Sequence, residues 1–448
     1  MALHEIKKTV GDSAWFMHDR FGMFLHFGLY AMPARGGTVA EWIRRNEFIP
    51  DEKYMLYFKH FNPDLFDARE WARTAKAAGM KYVVLTAKHH EGFCLFDSKY
   101  TDFKITNTAF GRDLIREYVD ALREEGLKVG LYYSLLDWNH PAYPIDFKHP
   151  HYQDADALEQ NKSRSMEVYR EYMFNQIREL LTNYGKIDVM WFDFSWVRDG
   201  KPDDPDPLKI GKDEADWDSE NLLKMIRELQ PGILINNRLS ATRSLGDIRT
   251  PEQSSQSRWV RDPETGERAV WEVCHTFSGS WGYNRDQHTW KTSRMIIEAL
   301  IRTVSFGGNL LMNVGPTARG TFDERATERL EAIGRWMRFH GRAIYGCTQA
   351  EECFKAPEGC LLTESDDGKR LYVHLLSYPL TSYLVLENLA DRIEYAQIMH
   401  DGSELSYRKN YSQSGLFTAK TVEGAVTITL PMPPPSDEIP VVEIFLAD

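Results

Sequence analysis

Lys186-Ile187-Asp188-Val189-Met190-Trp191-Phe192-Asp193-Phe194 is the stretch on which the fold turns. Ile187 to Phe192 is apolar or aromatic with almost no alternation, the pattern of a strand buried on both faces between helices. Asp193 stands where that strand stops. In a barrel of alternating strands and helices the strand C-termini carry the chemistry, so a carboxylate there is a candidate catalytic group. The competing reading is a cap for the turn that follows.

Working outward, the same alternation recurs on both sides. Upstream, Arg20 to Gly28 reads as a first buried strand finishing at His26, and the loop after it carries Glu41-Trp42. A helix over 67–78 is stopped by Gly79, and a strand over 81–87 runs into Lys88-His89-His90-Glu91-Gly92-Phe93. A helix over 112–125 closes at Gly126, a strand follows over 128–134, and a long helix spans 163–184. Downstream of Asp193 lies an acidic, Pro-containing insertion over 199–216. After it come a helix from Ser219 to Leu229, a Pro231-Gly232 turn and a strand over 233–238. Residues 240–269 read as polar loop containing Arg249-Thr250-Pro251-Glu252-Gln253, and a brief strand over 270–273 holds Glu272. A helix over 292–304, a strand over 309–313 and a helix over 323–339 complete the series.

Six or seven such units predict an α/β fold, a (β/α) TIM-like barrel of irregular build with right-handed crossovers. No Gly-x-Gly-x-x-Gly follows a strand, which counts against a dinucleotide-binding sheet. From about Gly341 the texture changes to short β-rich runs between Asp-Gly, Pro and Asn turns. The expectation is a catalytic barrel over 1–340 and a C-terminal all-β sandwich domain over 341–448.

A formal net charge of −12 without a basic stripe argues against a polyanionic partner, so no nucleic acid is expected. The first twenty residues hold no apolar run long enough for a signal-peptide core or a membrane span, which sets the expected location as cytoplasmic with no membrane partner. The cysteines (Cys94, Cys274, Cys347, Cys353, Cys360) are odd in number and lack paired zinc spacing, although one disulfide within 347–360 stays open. The 12% aromatic content, with 12 Trp, suits sugar stacking and equally suits a large core. Oligomeric state is left open.

Placed on a barrel, polar residues converge at the strand exits: His26, His89, His90, Tyr132 or Tyr133, Asp193, Asn237 and Arg238, with Glu252 and Glu272 on later segments. Singly, each has a structural role open to it, such as a satisfied histidine or an ion-paired arginine. Jointly they suggest chemistry, because a packed barrel has no structural need for polar groups at every strand exit. Two carboxylates could flank a glycosidic bond while histidines hold sugar hydroxyls. Alternatively, histidines and Asp193 could bind a metal that activates water. Adjacent His89 and His90 on an extended backbone would point to opposite sides, which argues against the metal, and no organic cofactor is expected.

With these residues assembled, the chain resembles the α-L-fucosidases of glycoside hydrolase family 29. The motifs are Gly22-Met23-Phe24-Leu25-His26-Phe27-Gly28, Glu41-Trp42, Leu85 to Phe93, Tyr132-Tyr133-Ser134, Trp191-Phe192-Asp193, Trp271-Glu272, Ser280-Trp281-Gly282-Tyr283 and Gly308 to Pro316. The resemblance implies a retaining exo-α-L-fucosidase acting on fucosylated oligosaccharides or glycoconjugates. Asp193 would be the nucleophile. His26, Glu41, Trp42, His89, His90 and Arg238 would hold the fucose, and Trp191 with Tyr132 or Tyr133 would line the pocket. Phe277 and Trp281 would wall the methyl group. For the acid/base, Glu252 on its long loop is preferred to Glu272. Phe194, Ile43 and Glu91 depart from the usual pattern, where a small residue, Tyr and Asp are frequent. Rival readings are a fucose-binding protein on a decayed scaffold and a glycosidase for a related sugar such as galactose.

Overall fold

Side chains fix where the helices begin. Asp67 accepts from the backbone N–H of Arg69 (2.8 Å), Asp113 from Arg116 (3.0 Å), Thr292 from Met295 (3.2 Å) and Asp323 from Arg325 (2.9 Å). Each uses one donor that a helix start otherwise leaves unpaired. The helices so capped, Ala68–Ala77, Leu114–Glu124, Ser293–Val304 and Glu324–His340, match the expected spans within two residues, Ser219–Leu229 matches its own, and Met166–Asn183 starts three residues later than expected. The computed structural model describes residues 4–37, 39–201, 203–413, 419–435 and 438–447.

Eight strands form the barrel: β1 (Phe21–Leu25), β2 (Tyr82–Lys88), β3 (Lys128–Ser134), β4 (Val189–Asp193), β5 (Leu234–Ile235), β6 (Ile248–Arg249), β7 (Val270–Thr276) and β8 (Asn309–Val314). All neighbouring pairs are parallel, in the order β5-β4-β3-β2-β1-β8-β7-β6. A parallel bridge between Asn236 and Ile248 joins the two ends of that order. The fold is thus an irregular TIM-like barrel, and the irregularity is local: among the described residues no helix separates β5, β6 and β7.

This is also where the sequence reading needs correction. The strand expected over 233–238 contracts to two residues, and β6 emerges from the stretch expected to be loop. A two-residue strand is too short to show a period. Polar groups do the work of a helix here. Asp247 accepts from the backbone N–H groups of Val10 (2.9 Å), Gly11 (3.0 Å) and Ile235 (3.0 Å), and it pairs with Arg227. Asn236 extends the β4–β5 contact, its Oδ1 accepting from Phe192 N–H (2.8 Å) and its Nδ2 donating to Phe192 O (2.9 Å).

Alternation divides the strand side chains between two cores. Phe24, Tyr82, Val84, Tyr132, Val189, Trp191, Cys274 and Leu311 fill the barrel interior with Phe16, from the helix Ala14–Asp19. Met23, Leu25, Val83, Leu85, Tyr133, Met190 and Phe192 pack outward against the helices. The second unit holds β9 (Cys347–Gln349), β10 (Cys360–Ser365), β11 (Arg370–Leu375), β12 (Tyr383–Leu386), β13 (Ile393–Ile398), β14 (Tyr407–Gln413), β15 (Ala419–Thr429) and β16 (Val441–Leu446). They form antiparallel sheets in the orders β13-β16-β11-β10-β9 and β12-β15-β14 around a separate apolar core. Trp336 Nε1 donates to Ile439 O (2.9 Å) and Arg342 pairs with Glu443 (2.7 Å), seating this unit on the last barrel helix and the turn that follows it. All five cysteines are free, so the disulfide left open within 347–360 is not formed. Among the described residues no helix is long and apolar enough to cross a membrane.

Asp247→Ala would leave three backbone donors and Arg227 without their shared acceptor. Loss of one partner from such a buried pair costs about 3–5 kcal/mol. The expected outcome is a clearly lowered urea midpoint and Tm; an unchanged midpoint would mean that the β5–β6 closure does not rest on this carboxylate.

Candidate active site

Period-two alternation decides which side chains reach the top of the barrel. Phe24 lies two residues before His26, Tyr132 two before Ser134, Trp191 two before Asp193, and Glu272 two before Cys274. Of these inward positions Phe24, His26, Tyr132, Trp191, Asp193 and Cys274 meet at a cavity of about 150 Å³, a size that holds a single six-membered ring, while Ser134 and Glu272 lie outside its lining. Its walls are Phe24, His26, Val39, Glu41, Trp42, His89, His90, Tyr132, Trp191, Asp193, Phe194, Arg238, Glu252, Cys274 and Trp281.

Arg238 occupies the centre of the polar side. Its Nη1 donates to Asp193 Oδ1 (2.8 Å) and its Nη2 to Glu252 Oε2 (2.8 Å), so one guanidinium holds both carboxylates. Its Cζ lies 4.7 Å from the Trp191 ring centroid. The Tyr132 hydroxyl donates to the other oxygen of Asp193 (2.9 Å). Burial pushes the Asp193 carboxyl above its ordinary range, Arg238 pulls it down and Glu252 pushes it up. Burial opposes the charge on Arg238, but Asp193 and Glu252 outweigh it and keep the guanidinium firmly protonated. Asn237 supports the same corner from below: its Oδ1 accepts from the backbone N–H (2.9 Å) and hydroxyl (3.0 Å) of Thr250, fixing the loop that carries Glu252.

The histidines form the opposite wall as neutral rings. Asn313 Nδ2 donates to Trp281 O (2.7 Å), which leaves its Oδ1 to accept from His26 Nδ1 (2.7 Å). His26 therefore turns an unprotonated Nε2 to the cavity, and burial lowers its pKa to about 3. Burial also holds His89 and His90 well below the ordinary imidazole value. His90 Nδ1 lies 2.6 Å from Ser134 Oγ. Glu41 accepts from Gly282 N–H (2.9 Å) through Oε2, and burial pushes its carboxyl up to about 7. Glu41 Oε1 and His89 Nδ1 are buried without a partner among the described residues, and a ligand hydroxyl would satisfy such atoms.

Several expectations are corrected. His89 and His90 do not point to opposite sides: β2 stops at Lys88, and the chain turns, with Gly92 N–H donating to His89 O (3.0 Å). Off the extended path, the two rings lie 3.8 Å apart and both line the cavity. The argument against a metal from their direction therefore fails, but among the described residues no three His, Cys, Asp or Glu are grouped to hold one. Tyr133 faces outward, its hydroxyl donating to Gln176 Oε1 (2.8 Å), so Tyr132 alone serves the pocket. Phe277 lies outside the cavity, beside Ser278, Tyr283 and Trp290. Glu272 is 1% exposed beneath Trp191, whereas the Glu252 side chain is 41% exposed at the rim. Glu91 is structural, accepting from Leu29 N–H (2.9 Å) and the Tyr54 hydroxyl. Phe24, Val39, Phe194 and Cys274 line the cavity without having been expected there; for Phe24 and Cys274 the available signal is alternation from His26 and Glu272, and for Phe194 its place beside Asp193.

A family model described as α-L-fucosidase matches residues 4–342. The human tissue α-L-fucosidase is 32% identical over 400 residues, covering 84% of this chain and 78% of that protein. The structure of α-L-fucosidase isoenzyme 1 from Paenibacillus thiaminolyticus superposes with a TM-score of 0.86 at 42% identity, covering 97% of this chain and 99% of that one. A family 29 α-L-fucosidase from Bacteroides thetaiotaomicron superposes with a TM-score of 0.82 at 27% identity, covering 100% of this chain and 99% of that one. It is a covalent intermediate with 2-fluoro-fucosyl fluoride, trapped in a glutamate-to-glutamine variant.

The His26 assignment has a direct check. With selectively ¹⁵N-labelled histidine and a His26→Gln control, its ring should stay a neutral Nδ1–H tautomer from pH 8 to below pH 5. Titration near the ordinary value of about 6.5 would contradict the hydrogen-bond reading.

Proposed function

The chain belongs to the α-L-fucosidase family, glycoside hydrolase family 29, and from that membership we propose the roles of its residues, with Asp193 as nucleophile and Glu252 as acid/base. The enzyme is a retaining glycosidase that releases α-L-fucosyl residues through a covalent fucosyl-enzyme. The observation that carries the role assignment is the bridge from Asp193 through Arg238 to Glu252. Two carboxylates on one guanidinium make a compact pair, in keeping with the roughly 5–5.5 Å separation of retaining glycosidases.

Asp193 attacks C1 from inside the pocket, aligned by Arg238 on one oxygen and Tyr132 on the other. Glu252, at the exposed rim, protonates the departing oxygen. Esterification removes the charge of Asp193, leaving Arg238 to pair with Glu252 alone, and Glu252 then takes the proton of the incoming water. No metal or organic cofactor is required for either step. The neutral histidines and Glu41 Oε1 hold the sugar hydroxyls, and these contacts supply most of the selectivity for fucose. Phe24, Trp281 and Cys274 form the apolar wall for its methyl group, a contact that discriminates only modestly. A cavity sized for one ring favours terminal fucose on an oligosaccharide or glycoconjugate, with the remainder of the substrate outside.

Glu252→Ala should slow cleavage of unactivated fucosides by about 10²–10⁴-fold. On an activated aryl α-L-fucoside, azide should restore its turnover and yield the α-fucosyl azide, while Asp193→Ala gives no retained product. Rescue of Glu272→Ala in place of Glu252→Ala would overturn the assignment.

A further inference from the structure

Glu272 is a buried carboxylate that the reaction does not use. It lies 1% exposed in the barrel interior, one layer below the sugar pocket. Its Oε1 accepts from Trp191 Nε1–H (3.2 Å), and its Oε2 accepts from the Tyr82 hydroxyl. Burial pushes its carboxyl up to about 7 against the pull of those two donors. A carboxylate in such a place costs stability, and an apolar side chain would fill the same volume without that cost. The surroundings are nonetheless built to keep it. Gly22 leaves the space that the Tyr82 ring occupies, since a Cβ there would fall 2.4 Å from the ring, and this lets the Tyr82 hydroxyl reach Glu272.

What Glu272 holds is the floor of the site. Trp191 is 2% exposed, and both partners of Asp193 sit against its indole. The Arg238 guanidinium lies 4.7 Å from the ring centroid, and the Tyr132 ring stacks at 5.6 Å and 21°. An indole has two broad settings about its second side-chain torsion, and packing against flat neighbours does not by itself choose between them. A hydrogen bond at Nε1 does. We propose that Glu272 is a positioning residue that fixes the plane of the Trp191 indole, and through it the seats of Arg238 and Tyr132 on Asp193. The proposal rests on Asp193 being the nucleophile and Glu252 the acid/base.

The test compares Glu272→Leu, Glu272→Gln and Tyr82→Phe on an aryl α-L-fucoside, with azide added in separate assays and thermal stability measured for each. Glu272→Leu should lose at least about tenfold in kcat, since small misplacements around a reacting group are costly, with KM little changed. The acid limb of its kcat/KM should move to higher pH, because Arg238 and Tyr132 no longer grip Asp193 and the penalty of burying its charge is no longer offset. Glu272→Gln keeps an acceptor for Trp191 Nε1–H and should recover most of the rate. Tyr82→Phe, which frees one oxygen of Glu272, should shift the limb in the same direction by less. A lowered Tm with wild-type kcat and limb in Glu272→Leu would make the residue structural only and overturn the proposal. If Glu272→Leu does not fold, a wild-type kcat and limb in Tyr82→Phe would overturn it equally. Azide rescue of Glu272→Leu, with none for Glu252→Ala, would instead overturn the acid/base assignment itself.

Discussion

One guanidinium holds two carboxylates together at the mouth of the barrel, and most of the site's construction serves that arrangement. Asp193 and Glu252 are both anionic when ionised, and burial penalises the charge on Asp193. Without Arg238 the pair would repel and Asp193 would sit protonated more of the time. The arginine carries a cost of its own, because burial opposes its charge, and the two carboxylates offset it. The three groups are therefore stable only together. They come from β4, from the turn after β5 and from the loop after β6, so closure of the barrel's short-stranded sector brings them together.

That sector also accounts for which parts of the fold the sequence announces. Helices such as Leu114–Glu124 and Glu324–His340 carry strong amphipathic patterns and capping residues, and their positions were legible within a residue or two. The strands β1 to β4 were legible because an apolar run of four or five residues between turn signals suits a buried strand. The two-residue β5 and β6 have no such signature. Their places are set by Asp247 and Asn236, polar residues that substitute for backbone pairing and look like loop residues in a sequence.

The site divides in the same way. Asp193 and His26 are legible as candidates because each closes a recognisable apolar run, and Arg238 because the apolar residues 233–235 precede it even though only two of them pair as β5. The choice between Tyr132 and Tyr133 needed the phase of β3, which the unbroken apolar run conceals. His89 and His90 were assigned opposite directions on the assumption of extended backbone, and a turn closed by Gly92 sends both rings the same way. Phe277 fails for a related reason: it follows the end of β7 at Thr276 and packs in the outer core, whereas Trp281 farther along the same segment reaches the pocket, and Phe24 and Cys274 supply the rest of the apolar wall. Glu272 and Glu252 illustrate depth, a property alternation alone does not give. Glu272 and Cys274 share a face of β7, yet one lies beneath the indole floor and the other lines the cavity above it.

The central claim is that Asp193 makes the bond to the sugar while Arg238 links it to the rim carboxylate. Its most direct measurement is mass-spectrometric mapping of the enzyme after inactivation with 2-deoxy-2-fluoro-α-L-fucosyl fluoride. The account predicts one fucosyl label per chain, on the peptide containing Trp191-Phe192-Asp193 and localised to the Asp193 carboxyl. A label on Glu252, Glu272 or any other side chain would contradict it.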